Sequence, residues 1–503
     1  MNVESHKLKP KVGHTSRLES LLRVIAGAVA LGIFLRCFID IDDSYDTWTY
    51  HLPFAAKLWN IVPESVYLSE PHEQARYKGF PILVQFFQGM FWFVTQRVQA
   101  ANLVGWSSVI VFSWFLRATF AVPLYLSVLT LFGIPLVQSH ATSCYVDLPA
   151  NIGISVLVMM VYRLFTWQGL PTRAQLFTIV TAAAFAANSK PQLIPLTFAI
   201  LCAIAIRLLW VYTAGLRSGQ IPPKWVAPAC LIATVAGLLI FATPIKNTIL
   251  YRNPFYPVRI EIAGQVLNHE MPLYNAAPPQ LESLPRPQRW AISVLEIDSA
   301  PWSVDQWSED DPADNRMGGF NGVYVIFNLV LLTIAIARDR SRETLTAAAV
   351  AVGMSAIASI MPQSHELRYY IFWMVSLISL NLIAICRLAR SPDPLKTLKP
   401  EWMGLVGVAA VITVAIGTNF IYIRPNFFHL DAFRNHALRE DVIARFEPDA
   451  DICLVGFQPY SFVYSAQFHP ELDFDYSLAA TGSVEGCGDR QLIIAKDRLP
   501  PPS

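Results

Sequence analysis

Apolar runs long enough to cross a bilayer recur from Leu18 to Tyr422, and this repetition limits the chain more than any single motif does. A hydrocarbon core about 30 Å thick needs roughly 20 apolar residues per helix. A soluble core cannot hide many helices that are apolar on every side. The candidate spans are 18–39, 102–117, 118–137, 149–166, 174–188, 191–212, 226–244, 320–337, 344–361, 367–388 and 402–422. The fold class read from this pattern is an all-α polytopic membrane protein of about 11 transmembrane helices with a small α/β unit at its C-terminal end. Only 15% of the residues are charged, against roughly 25% in an ordinary soluble domain. The net charge of +1 is segregated rather than pooled in a basic patch, so nucleic acid is not an expected partner. Seven cysteines are scattered singly, none at metal-ligand or redox spacing. The first span follows Lys7, Lys9, Lys11 and Arg17 and lacks a small-residue cleavage site before Asp40, which reads as a retained anchor.

One further apolar stretch, Phe80 to Val94, would invert every later segment if it crossed the membrane. Treating it as a juxtamembrane helix puts the N-terminal basic group on one side with Arg117, Arg163, Arg173, Arg207, Arg217 and Lys224. Arg338, Arg340, Arg342, Arg387, Arg390, Lys396 and Lys399 join them. Short Lys- and Arg-rich loops belong in the cytoplasm, so this parity is preferred. The organisation is then a cytoplasmic N-terminal tail (1–17), a transmembrane unit (18–423) with outward loops 40–101, 138–148 and 245–319, and a small soluble unit outside (424–503). Arg36 goes against the trend and must snorkel or meet an anion. In the tail, 430–447 reads as an amphipathic helix, and "DICLVGF" (451–457) and "RQLIIAKD" (490–497) as short buried strands. Cys453 and Cys487 either pair, on an oxidising side, or stay as two buried thiols.

The densest polar cluster follows the first span, in "DIDDSYDTWTYHLPFAAKLWN" (40–60), with Asp40, Asp42, Asp43, Asp46 and His51. Solvated loop carboxylates are the bland reading. Close carboxylates at the edge of low dielectric repel one another, however, and such groups hold a cation, take up a proton or bind a polar substrate. A carboxylate general base at a wet interface needs this setting. Asp147, in "SHATSCYVDLPANIG", reads either as the N-terminal cap of the helix after Pro149 or as a second site acid. Lys190 in "NSKPQ", Arg252 in "TPIKNTILYRNPFYPV" and Arg368 in "SHELRYY" are outward cations. Beside Arg368, Glu366 offers a plain ion pair. Phosphate recognition is the sharper reading, since guanidinium geometry suits it.

In order and sidedness these motifs resemble the GT-C superfamily of membrane glycosyltransferases, which includes protein O-mannosyltransferases, oligosaccharyltransferases and lipid A aminoarabinose transferases. The stretch "YDTWTYHLPFAAKLWN" (45–60) is similar to the Asp-x-x-x-Tyr-His-Leu-Pro…Trp segment of bacterial dolichyl-phosphate-mannose-type transferases. The resemblance covers roughly residues 18–390; the tail matches nothing by sequence. It implies inverting transfer of a sugar from a polyprenyl-phosphate carrier to a glycan, lipid or protein acceptor on the extracytoplasmic face of a bacterial inner membrane. It also implies roles. Asp46 would be the general base, with Asp43 as runner-up. Asp147, with Asp42 and His51, would orient the acceptor, or Asp147 and Asp43 would help bind a divalent ion in a metal-using enzyme. Arg368 would grip the donor phosphate with Lys190 or Arg252. No cofactor is required by this scheme, since arginine and lysine supply positive charge. The family's frequent His-Pro pair is replaced here by Gly79-Phe80-Pro81.

Two other classes compete. An envelope polysaccharide polymerase or ligase would rely on loop arginines rather than an acidic first loop. A lipid-linked-sugar transporter would place charges at mid-membrane depth and show repeat symmetry, which this chain lacks. Aromatic residues Trp290, Trp302, Trp307 and Phe320 suit stacking on sugars or, more commonly, interfacial anchoring.

Overall fold

The computed structural model describes residues 16–273, 277–297, 319–390 and 399–495. Among these, seven helices are long and apolar enough to cross a membrane: Arg17–Ile39, Val98–Phe120, Asp147–Thr166, Leu193–Arg217, Pro223–Ile240, Arg342–Ile360 and Leu367–Leu388. The chain is a multi-pass membrane protein. An eighth candidate is a bent pair, Leu124–Leu131 and Pro135–Ala141, whose arms meet at 97°. Three shorter apolar helices, Arg173–Ala187, Gly322–Arg338 and Glu401–Gly417, fall on the remaining expected spans. The fourth, Leu83–Thr95, is the stretch read as juxtamembrane. Its 13 residues rise only about 20 Å, short of a bilayer core.

The segment expected as one span over 118–137 is therefore different in detail: the preceding helix runs on to Phe120, and the next one breaks at Gly133-Ile134-Pro135. Proline has no N–H to continue the ladder. The Gln138 side chain donates to the freed carbonyl of Phe132 at 2.6 Å, which satisfies the break from inside.

Contacts between helix ends sort the charges into two groups. At one end Arg387 pairs with Asp339 and, at 3.1 Å, with Glu343. There too Arg390 donates to the Ala121 carbonyl at 3.0 Å, and Arg207 donates to the carbonyls of Leu164 and Trp167, both at 3.0 Å. At the other end lie Asp40, Asp147, Lys190 and the C-terminal tail. Of the two outcomes open to Arg36, snorkelling or an anion, it meets an anion, with Asp40 at 2.6 Å.

The tail is built on a parallel sheet. Its strands are β1 (Tyr67–Leu68), β4 (Asp451–Val455), β5 (Ser477–Thr481) and β6 (Gln491–Ile494), in the order β1-β5-β4-β6; β2 (Glu261–Ile262) and β3 (Gln265–Val266) form a separate hairpin. The edge strand β1 comes from the first loop, so the segment read as a unit from 424 onward shares its sheet with residues far upstream. The helix read over 430–447 is two shorter ones, Leu430–Ala437 and Glu440–Ile443, because Leu438 is extended and the Arg439 N–H is taken by the Tyr464 hydroxyl at 2.9 Å. Cys453 on β4 and Cys487 on the β5–β6 crossover form a disulfide.

One apolar core joins the tail to the first loop. Trp48, buried, stacks on Phe433 with ring centres 4.4 Å apart and meets Phe468 edge-on at 5.6 Å. Tyr67 meets Phe462 at 4.9 Å. The Asp40 carboxylate accepts the backbone N–H groups of Asn426 (2.8 Å) and Phe428 (2.6 Å), which pins the entry of the tail to the end of the first span. Gly79 fits the same scheme. A side chain there would strike the Tyr256 carbonyl, and its own carbonyl accepts from the Asn247 side chain at 2.7 Å.

Truncating Trp48 to alanine should cost about 3–5 kcal/mol of this packing. The expected readout is rapid limited proteolysis of the segment 424–450, with little change in the helical circular dichroism of the spans.

Candidate active site

The first loop leaves the membrane at Asp40 and turns into a π-helical segment, Thr47–His51, with Asp46 at its N-terminal boundary. Such segments are rare and occur frequently at functional sites. The aspartates of the loop part company here. Asp42 is spent on structure: one oxygen accepts from the Ser44 hydroxyl at 2.5 Å, the other from the Cys144 N–H at 2.8 Å and from the Thr47 hydroxyl. Asp43 is exposed, and its carbonyl accepts from the Tyr460 hydroxyl at 3.2 Å. Asp46 keeps a quarter of its side chain exposed and faces Arg368 at 3.7 Å.

Arg368 lies on the short helix Leu367–Tyr370, which leads into the buried helix Ile371–Leu388. Its guanidinium is flanked by Tyr369 and Tyr145, with ring centres at 5.1 and 5.8 Å, and by Glu366 at 3.9 Å. Asp147 begins the helix Asp147–Thr166 and forms a buried ion pair with Lys190, whose ammonium also sits 4.0 Å above the Tyr369 ring. Asn151 ties the two halves together: it donates to the carbonyls of Asp147 (2.8 Å) and Arg368 (3.2 Å) and accepts from the Phe372 N–H (3.1 Å).

His51 is buried and packs against Tyr50 and Tyr145 at 4.3 and 5.9 Å. Burial pushes its pKa down to about 4, so it is neutral at ordinary pH. Its Nδ1 meets the Gln85 side-chain amide at 3.1 Å, and its Nε2 has no partner among the described residues. Arg252 stands apart, exposed, at the end of the helix Ala242–Tyr251. No contact among the described residues joins it to Arg368. Nor do the described residues contain a group of three or more His, Cys, Asp or Glu side chains able to hold a metal ion.

No family model and no curated protein matches the sequence. Among solved structures, ArnT from Cupriavidus metallidurans in the apo state superposes with a TM-score of 0.52 at 13% identity, over 92% of this chain and 86% of that one. The chain shares the overall fold of that ArnT structure. The same ArnT bound to undecaprenyl phosphate superposes at 0.49, also at 13% identity, over 92% of this chain and 86% of that one. The share of this chain that superposes on the apo ArnT is wider than the sequence resemblance over 18–390, which left the tail out.

Several residues at this site were not singled out in the sequence. Tyr145 stands two places before Asp147, and Tyr369 belongs to the quoted "RYY", so a signal for both was present. A second cluster gave none. Glu73, buried, binds His72 Nε2 at 2.7 Å and Arg76 at 2.9 Å, while Glu70 binds His72 Nδ1 at 3.2 Å. Arg76 lies 5.2 Å above the Tyr50 ring. Of the aromatic residues considered for sugar stacking, Trp290 and Phe320 pack on Trp373 at 5.3 and 6.1 Å, and Trp302 and Trp307 lie outside the described residues.

Two outcomes follow. Replacing Asp147 with alanine strands a buried ammonium and should cost about 3–5 kcal/mol of thermal stability, most of it recovered by adding Lys190→Met. Hydrogen bonds to Glu70 and Glu73 raise His72 from 6.5 to about 9. Its ion pairs are therefore complete below pH 6.5 and lost as pH rises through about 9, and an NMR titration should show Glu70→Gln lowering that midpoint.

Proposed function

We propose that this protein is an inverting glycosyltransferase that moves a sugar from a polyprenyl-phosphate carrier to an acceptor hydroxyl or amine on the extracytoplasmic face of the membrane. The observation that carries the reading is the meeting of Asp46 and Arg368 at 3.7 Å, a carboxylate and a guanidinium brought together from opposite ends of the chain at the edge of the bundle. The GT-C-like fold is consistent with it.

An apolar groove of about 570 Å³ supplies a place for the carrier chain. It is lined by Ile194, Phe198, Phe241, Ile245, Ile249 and Phe255, and it begins one turn of helix beyond Lys190. A lipid lying there brings its phosphate toward Lys190 and Arg368. Arg368 then stabilises the charge that develops on the phosphate as its bond to the anomeric carbon breaks. The acceptor heteroatom attacks that carbon from the opposite face, and its proton passes to the Asp46 carboxylate. The products are the glycosylated acceptor and the polyprenyl phosphate, with protonated Asp46 returning its proton to water. Asp147 keeps Lys190 in place, and neutral His51 offers its free Nε2 to an acceptor hydroxyl. Two of the first-loop carboxylates, Asp40 and Asp42, are committed to backbone and hydroxyl donors, which leaves Asp46 as the base and Asp43 as its alternative.

The test is release of labelled sugar from a panel of polyprenyl-phosphate sugars in purified membranes. Transfer should fall by about 10²–10⁴-fold in Asp46→Asn and be lost in Arg368→Ala. Transfer undiminished in both variants would sink the assignment.

A further inference from the structure

The mechanism leaves one polar cluster beside Asp46 unused, and it sits where the first loop meets the tail. Tyr45 adjoins Asp46 and is 41% exposed, a large ring bare at the surface. Its hydroxyl donates to the Gln458 carbonyl oxygen at 3.2 Å, in the loop that follows β4. Arg76 of the cluster lies 5.2 Å above the ring of Tyr50, in the helical segment that directly follows Tyr45 and Asp46. On the sheet side, Gly482, just past β5, faces the Glu70 carboxylate: an added Cβ would lie 4.0 Å from it. The carboxyl ends of β4 and β5 therefore open onto the same cluster, the edge at which open parallel sheets receive ligands.

A second observation points to an absent ligand. Glu73 is 1% exposed, and although one of its oxygens holds His72 and Arg76, the other has no partner among the described residues. A buried oxygen left bare costs free energy that a donor on a ligand would recover.

We propose, resting on the glycosyltransferase reading, that this cluster is the acceptor subsite and that the acceptor is a neutral saccharide. The apolar face of a pyranose ring lies on Tyr45. Its hydroxyls meet the planar, paired groups of Glu70, His72, Arg76 and Gln458, and one of them reaches Glu73. Two carboxylates against an imidazolium and a guanidinium give the cluster no net charge, which suits hydroxyls and disfavours an acceptor rich in phosphate. The tail then contributes directly to acceptor recognition through Gln458.

The experiment uses the full chain in lipid nanodiscs with excess undecaprenyl phosphate, and saturation-transfer difference NMR on methyl glycosides of neutral hexoses and disaccharides. At least one glycoside should receive saturation, weakened on the order of tenfold in Tyr45→Ala and in Glu73→Gln. Tyr45→Phe, which keeps the ring, should retain it. No glycoside receiving saturation, or loss in Arg368→Ala with none in Tyr45→Ala, would overturn the subsite. Saccharide binding that depends on Tyr45 in a protein that transfers no sugar would instead overturn the transferase reading and leave the subsite standing.

Discussion

A charge at the edge of a hydrocarbon layer costs free energy until an opposite charge or a hydrogen bond meets it, and this constraint orders the whole Asp40 end of the bundle. Four carboxylates there are met by groups distant in sequence. Asp40 ties the first span to Asn426 and Phe428, Asp42 ties the first loop to Cys144, Asp147 takes Lys190, and Asp46 faces Arg368. The pairs differ in completeness. Asp40 and Asp42 accept several donors each, while Asp46 has one cation at 3.7 Å and a partly open side chain. Of these four, Asp46 is the least satisfied, and it has room for a proton and for an incoming group.

Much of this was legible because it is written in local pattern. The spans announce themselves by length and apolarity, and among the described residues seven of them are helices long enough to cross a membrane. Arg36 at the wrong end of a span implied either snorkelling or an anion, and Asp40 stands there. Asp46, Asp147, Lys190 and Arg368 drew notice as charges near span ends, and the fold brings the four together.

What escaped was mostly non-local. Tyr67–Leu68 is too short to read as a strand and becomes one only by pairing with Leu478 and Ala479. The stacking of Trp48 on Phe433 has no periodicity to betray it. The Glu70–His72–Glu73–Arg76 network looks like an ordinary solvated helix until the tail covers it. The break at Gly133-Ile134-Pro135 was visible as residues, but its capture by Gln138 was not, so the run read as one straight span.

The parallel pairing of β1 with β5 has a consequence for the order of assembly. The strand on the first loop is made early and its partner near the end of the chain, so the sheet cannot close during most of synthesis. Until then Trp48 lacks Phe433, and the segment bearing Asp46 lacks its backing. The spans can be complete while Asp46 is still unplaced. A chain cut short before Ser477 would carry every helix of the membrane unit and still lack β5, the strand on which β1 docks. The tail is thus a closing latch, and the placement of the first loop waits on strands made long after it.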